Sequence, residues 1–187
     1  KKRIWAREYS KFVFTKNVDL ILKRITQFAK LKNLSKKQIS FLSLKDLTNS
    51  KVSKLSKGKL LDKMLAAIQL NRTKVYISNV VNYRPPSNRR PTEEEINRYL
   101  PYLKSHIEII NPKILLLLGS TALNTLIGNE VVISKARGKW IQKEIGKAKP
   151  WIIASFHPAF LMRQPEQKKL AWIDLKMIRE KSKILKI

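Results

Sequence analysis

Pro112 to Gly128 reads PKILLLLGSTALNTLIG, and its first half decides the fold. From Lys113 to Leu118 the run is almost continuously apolar, with no polar residue at alternate positions. A strand with one wet face alternates, whereas a short run of this kind suits a strand covered on both faces, as in a parallel sheet between helices. Gly119-Ser120 ends the run and starts a short helix that closes at Gly128. A buried strand followed by a helix is the repeating unit of an α/β domain.

The same unit recurs on either side. Val75 to Val81 is a β-branched strand, and Leu60, Leu61, Met64, Leu65 and Ile68 before it fall at helical spacing. After it, Thr92 and Glu95 have the spacing of a capping box behind Pro91. They launch a helix whose inward stripe is Ile96, Tyr99, Leu100, Leu103, Ile107 and Ile110, with a kink or break expected at Pro101. Ile152 to Phe156 is the last strand. Glu166 to Ile184 is the last helix, with Leu170, Ile173, Met177 and Ile184 expected inward. Toward the N-terminus, Val18, Ile21, Leu22, Ile25, Phe28 and Ala29 define an amphipathic helix, and Ile39 to Leu44 alternates as a first strand would. The expected architecture is a three-layer α/β/α domain with a mostly parallel central sheet, whose ligand site lies at the carboxyl ends of the strands. Residues 1–187 are read as a single domain, with 1–35 as a basic extension and first helix and 36–187 as the core.

Composition sets the bounds. At 187 residues and 43% hydrophobic the chain is long enough for one full core. No apolar run reaches membrane-spanning length, so a soluble protein without a membrane partner is expected. Forty Lys and Arg against 13 Asp and Glu give a formal net charge of +27. So large an excess repels itself in a compact domain, and nucleic acid is the polyanion that most often neutralises it. A Lys-rich composition imposed by an AT-rich genome is the competing explanation. The chain contains no Cys, which excludes disulfides, thiolate chemistry and Cys-ligated metals.

Two stretches carry chemistry. VYISNVVNYRPPSNRRPTEEE, from Val75 to Glu95, places Asn79 within the end of a strand; WIIASFHPAFLMRQP, from Trp151 to Pro165, places His157 directly after another. Alone, each residue has an ordinary use in turns and caps. Together with Gly58 to Leu70, Pro112 to Gly128 and Ala136-Arg137-Gly138, they resemble the family 4 uracil-DNA glycosylases over roughly the last two-thirds of the chain. The resemblance implies that Asn79 reads uracil and that His157 donates to the uracil O2 as the glycosidic bond breaks. It also implies that Phe160, Leu161 and Arg163 form the wedge that replaces a flipped base. Members of that family hold an iron-sulfur cluster on four cysteines. Two of those positions are Tyr83 and Tyr99 here, so no metal or other cofactor is expected, and the two rings are expected to pack together in its place.

The segment before Gly58 departs from the pattern. The family has a Gly-Glu-x-Pro-Gly turn there, then a Phe that stacks on uracil. An ungapped alignment puts the turn on Ile39 to Ser43 and the Phe on Ser53, and no Gly occurs before Gly58. Asp46 is the only carboxylate between Asp19 and Asp62. In place of the turn and ring stand Lys51, Lys54, Lys57 and Lys59, which with Arg84, Arg89 and Arg90 form a candidate phosphate-binding set. The expectation is a catalytically inactive protein that binds nucleic acid, most simply structured rRNA among the neighbouring proteins of a ribonucleoprotein particle such as a mitochondrial ribosome. The alternatives are an active uracil-DNA glycosylase, with DNA as partner and a bacterial cytoplasm as location, and a non-catalytic adaptor in DNA maintenance.

Overall fold

The computed structural model describes residues 11–15, 56–83, 85, 89–128 and 130–187. The expected helix from Val18 to Leu31 and the expected strand from Ile39 to Leu44 lie outside them, as do Lys51, Lys54 and Arg84. In chain order the elements are β1 (Lys11–Thr15), α1 (Ser56–Ala66), β2 (Val75–Asn79), α2 (Glu93–Ile110), β3 (Ile114–Leu118) and α3 (Ser120–Leu126). There follow α4 (Ile133–Ala136), β4 (Trp140–Gln142), β5 (Trp151–Ser155), α5 (Pro158–Arg163), a 3-10 turn (Pro165–Gln167) and α6 (Lys168–Ile184).

The strands form one sheet in the order β2-β1-β3-β5-β4. β3 is buried at every position, as its uniform apolarity requires. Its side chains alternate between two layers. Leu115 and Leu117 pack with Leu103, Ile107 and Ile110 of α2 and Leu123 and Leu126 of α3. Ile114, Leu116 and Leu118 pack with Leu61 and Leu65 of α1, Leu161 of α5, and Leu175 and Ile178 of α6. Helices therefore cover both faces, which makes the described part a three-layer α/β/α fold. Each fully buried Leu or Ile in such a core contributes roughly 1.5–3 kcal/mol relative to exposure.

The sheet itself corrects the sequence reading. Among the strands of the described residues, β3 and β5 are the pair that runs parallel. β1 lies antiparallel between β2 and β3, and β4 runs antiparallel along β5. For β4 the cause is the connection: Lys143 to Pro150 is shorter than the dozen or so residues a parallel crossover needs. It turns back through an Ile145–Ala148 bridge. Even so, β2, β3 and β5 all point the same way, so their carboxyl ends share one edge of the sheet.

Two helices also depart from expectation. The capping box of α2 forms in full: Glu95 N–H donates to Thr92 Oγ1 at 3.2 Å, and Thr92 N–H to Glu95 Oε2 at 2.9 Å. The helix then runs unbroken through Pro101. Pro101 and Asn97 are both exposed, so water can satisfy the Asn97 carbonyl that has lost its N–H partner. In α6 the buried residues are Ala171, Asp174, Leu175 and Ile178. Leu170, Ile173 and Ile184, expected inward, are exposed. A buried ion pair at Asp174 sets the rotation of the helix, and hydrophobic periodicity does not register a carboxylate.

Candidate functional site

Asn79 is the last residue of β2, and its Oδ1 is buried with no hydrogen-bond partner among the described residues. A buried amide oxygen left unmatched costs about 1–3 kcal/mol, which a bound ligand or an ordered water can offset by supplying the donor. His157 follows β5 and caps α5: its Nδ1 accepts the Ala159 N–H at 3.1 Å. A neutral imidazole that accepts at Nδ1 carries its proton on Nε2, so this cap fixes His157 as an Nε2–H donor.

Between these two strand ends, Gly119 follows β3 with φ +92°. Its N–H donates to the Ser155 carbonyl at 2.9 Å. A Cβ on Gly119 would lie 3.1 Å from the Cβ of His157. Only glycine combines this backbone conformation with so close an approach, so the β3–α3 turn braces the histidine. Beyond Ser120 a crevice of about 650 Å³ opens between the first turns of α2 and α3, lined by Arg90, Glu93, Asn97, Thr121 and Asn124 among others.

Behind His157 lies a polar network that the sequence reading did not anticipate. Asp174 is fully buried and accepts hydrogen bonds from Ser155 Oγ at 2.6 Å and from Arg137 Nε and Nη2. Burial pushes its carboxyl above the usual carboxylate range, against the opposing pull of Ser155 and Arg137. Arg137 also donates to the Leu170 carbonyl, and its guanidinium lies 5.6 Å from the ring centre of Phe156. Phe156 in turn packs on Phe160, with centroids 4.9 Å apart. The sequence reading singles out Arg137 and Gly138 within the family resemblance, but nothing in it pairs them with Asp174.

The remaining expected residues fall in different places. Leu161 is in the core at 1% exposure, because the wedge segment is helical and turns that side chain inward; Met162 and Arg163 face out. Phe160 is half-buried against Phe156. Arg89 pairs in a two-pronged bond with Glu95, at 2.8 and 2.7 Å. That guanidinium, with the Thr92 N–H, holds the Glu95 carboxyl down at about 2. Arg89 must share or surrender this pair before it can hold a phosphate. Arg90 and Lys59 are exposed, and neither forms an ion pair among the described residues. Lys57 lies in the first turn of α1. Tyr99 packs on the core, Tyr83 is 57% exposed, and no ring contact joins them. The expected aromatic packing between these two rings is not formed. Neither side chain offers a thiolate, so these positions do not fit an iron-sulfur cluster, and no chemistry is assigned to one.

Comparison with known proteins gives this edge of the sheet a family. The sequence model of the uracil DNA glycosylase superfamily matches residues 14–176. The chain is 38% identical over 127 residues to a type-4 uracil-DNA glycosylase of Archaeoglobus fulgidus, covering 66% of this chain and 64% of that protein. It is 44% identical over 107 residues to one of Thermotoga maritima, covering 57% and 54%. A third, from Sulfurisphaera tokodaii, is 38% identical over 128 residues, covering 66% and 58%. The matched region thus spans somewhat over half the length of these relatives. With a family match across most of its length, the chain belongs to the uracil DNA glycosylase superfamily.

Proposed function

We propose that the chain binds uracil extruded from DNA at the carboxyl ends of β2, β3 and β5, and hydrolyses its N-glycosidic bond. The observation that carries this reading is the buried, unmatched Oδ1 of Asn79 on the same sheet edge as His157, whose proton is directed to Nε2. Oδ1 can accept N3–H of uracil while the Asn79 amide nitrogen donates to O4. Cytosine presents the opposite pattern at those two atoms and is rejected. When the bond between N1 and C1′ breaks, its electron pair moves into the base and charge collects on O2. His157 Nε2–H donates to that oxygen, water adds to C1′, and the water proton neutralises the departing uracil. Three relatives named as uracil-DNA glycosylases support DNA as the substrate class. The expectation of an rRNA partner in a ribosomal particle rested on net charge, which does not distinguish one polyanion from another.

A second reading is favoured by one sequence observation. No Gly-rich acidic turn precedes Gly58, and Asp46 is the only carboxylate between Asp19 and Asp62. Without a group to orient the water, the same pocket binds uracil and does not turn it over. The deciding experiment is uracil release from single- and double-stranded DNA by the purified chain. Excision is expected, and His157→Ala should reduce it by a factor on the order of 10² to 10³, the usual loss of one donor to a developing oxyanion. Binding that prefers uracil to thymine, with no release above buffer, would establish the second reading instead.

A further inference from the structure

We infer that the buried pair Arg137–Asp174, acting through Ser155, is the positioning element that sets the orientation of the His157 imidazole. This rests on the reading above, in which His157 faces the departing base. Asp174 is fully enclosed, and Arg137 is 13% exposed. Three contacts carry the pair into the end of β5 and the residue that follows it. Ser155 Oγ donates to Asp174 at 2.6 Å, the Arg137 guanidinium packs over Phe156, and the Gly138 N–H donates to the Ala154 carbonyl at 3.1 Å. Gly138 admits the carboxylate: at φ +67° a Cβ there would meet Asp174 Oδ1 at 2.8 Å. Ser155 then links the network to the site from both ends. Its hydroxyl holds Asp174, while its carbonyl holds the Gly119 N–H, and Gly119 lies so near His157 that a side chain there would crowd the histidine's Cβ. The network thereby holds the strand end that leads into His157, Gly119 leaves its Cβ the room it occupies, and the Ala159 N–H holds Nδ1. A desolvated, fully bonded ion pair has few alternative arrangements, so it gives a stiff support to a donor that must be aimed.

The chain has only two histidines, His106 and His157, which makes the test clean. With isotope-labelled histidine, the tautomer of each ring can be read by nuclear magnetic resonance in the free protein. Wild type should show His157 as the Nε2–H form. Asp174→Asn keeps the shape but removes the charge; Ser155→Ala cuts one of the three links to this strand end, leaves the ion pair in place and serves if the first variant does not fold. Either folded variant should mix the His157 tautomers while leaving the His106 signals in place. Excision should fall by between about ten- and a hundred-fold in kcat with KM little changed, as expected for a misaimed group. Unmoved His157 signals, or equal movement of both histidines, would overturn the positioning role. A wild-type protein that releases no uracil would sink the functional reading alone, and the tautomers would still decide the role of the pair.

Discussion

Asn79 and His157 stood out in the sequence only through the family pattern that joins them, because an Asn or a His at a strand end has ordinary duties in turns and caps. The unmatched Oδ1 of Asn79 suggests a conflict between stability and function. Asn79→Leu removes the orphaned acceptor, so stability should stay level or rise by about 1 kcal/mol. Uracil release should be lost in the same variant. Chemical denaturation beside an excision assay checks both halves, and a marked fall in stability would mean that the amide is satisfied within the fold. Asp174, by contrast, was not legible. A buried carboxylate is meaningful only with its partners, and these come from two other points of the chain, Arg137-Gly138 and Ser155. Leu161 failed for a related reason: in helix α5 one residue turns into the core and its neighbour faces out, so a loop-based alignment cannot say which apolar side chain is free.

Among the elements, β3 and α2 follow directly from sequence, because a buried strand and a capped amphipathic helix are local patterns. The order and direction of the strands are not local, which is why the antiparallel β1 and β4, neither of which the sequence reading marked as a strand, were missed. Two predictions belong to α2. Thr92→Ala opens the capping box and should cost about 1 kcal/mol of stability, read from the shift of the denaturant midpoint multiplied by the slope m. On its inner face, His106 is buried, with Nδ1 3.1 Å from the Tyr76 hydroxyl. Burial lowers its pKa from 6.5 to about 4. The unfolded chain therefore takes up this proton before the folded one does, so stability is full above about pH 6.5 and drains away as pH falls toward 4. The loss approaches about 3 kcal/mol, because each tenfold difference in proton affinity between the folded and unfolded chain is worth about 1.36 kcal/mol. Denaturation at pH 7 and at pH 4.5 measures it, and His106→Gln should flatten the curve through that interval. A wild-type stability level across the interval would show that the ring is charged or hydrated in the fold.

At the scale of the whole molecule, the net charge of +27 is the property that composition shows most plainly and interprets least. It forecasts affinity for a polyanion without saying which one, and it assigns no role to any single cation. The structure separates two neighbours that the sequence treated alike. Arg89 is held by Glu95, whereas Arg90 is exposed at the mouth of the crevice beside α2. The two should behave differently in salt. Each phosphate neutralised by a cation contributes about 0.9 to the slope of log affinity against log salt on duplex DNA. Arg90→Ala should therefore lower that slope by about 1 and weaken binding to all sequences alike. Arg89→Ala should change the slope less, because its charge is already matched, and should destabilise α2 by releasing Glu95 from one of its two partners. Titrating uracil-containing and uracil-free DNA at several salt concentrations makes the comparison. Equal slope losses for the two arginines would mean that DNA draws Arg89 away from Glu95. A slope indifferent to both would move the phosphate track off this end of the sheet.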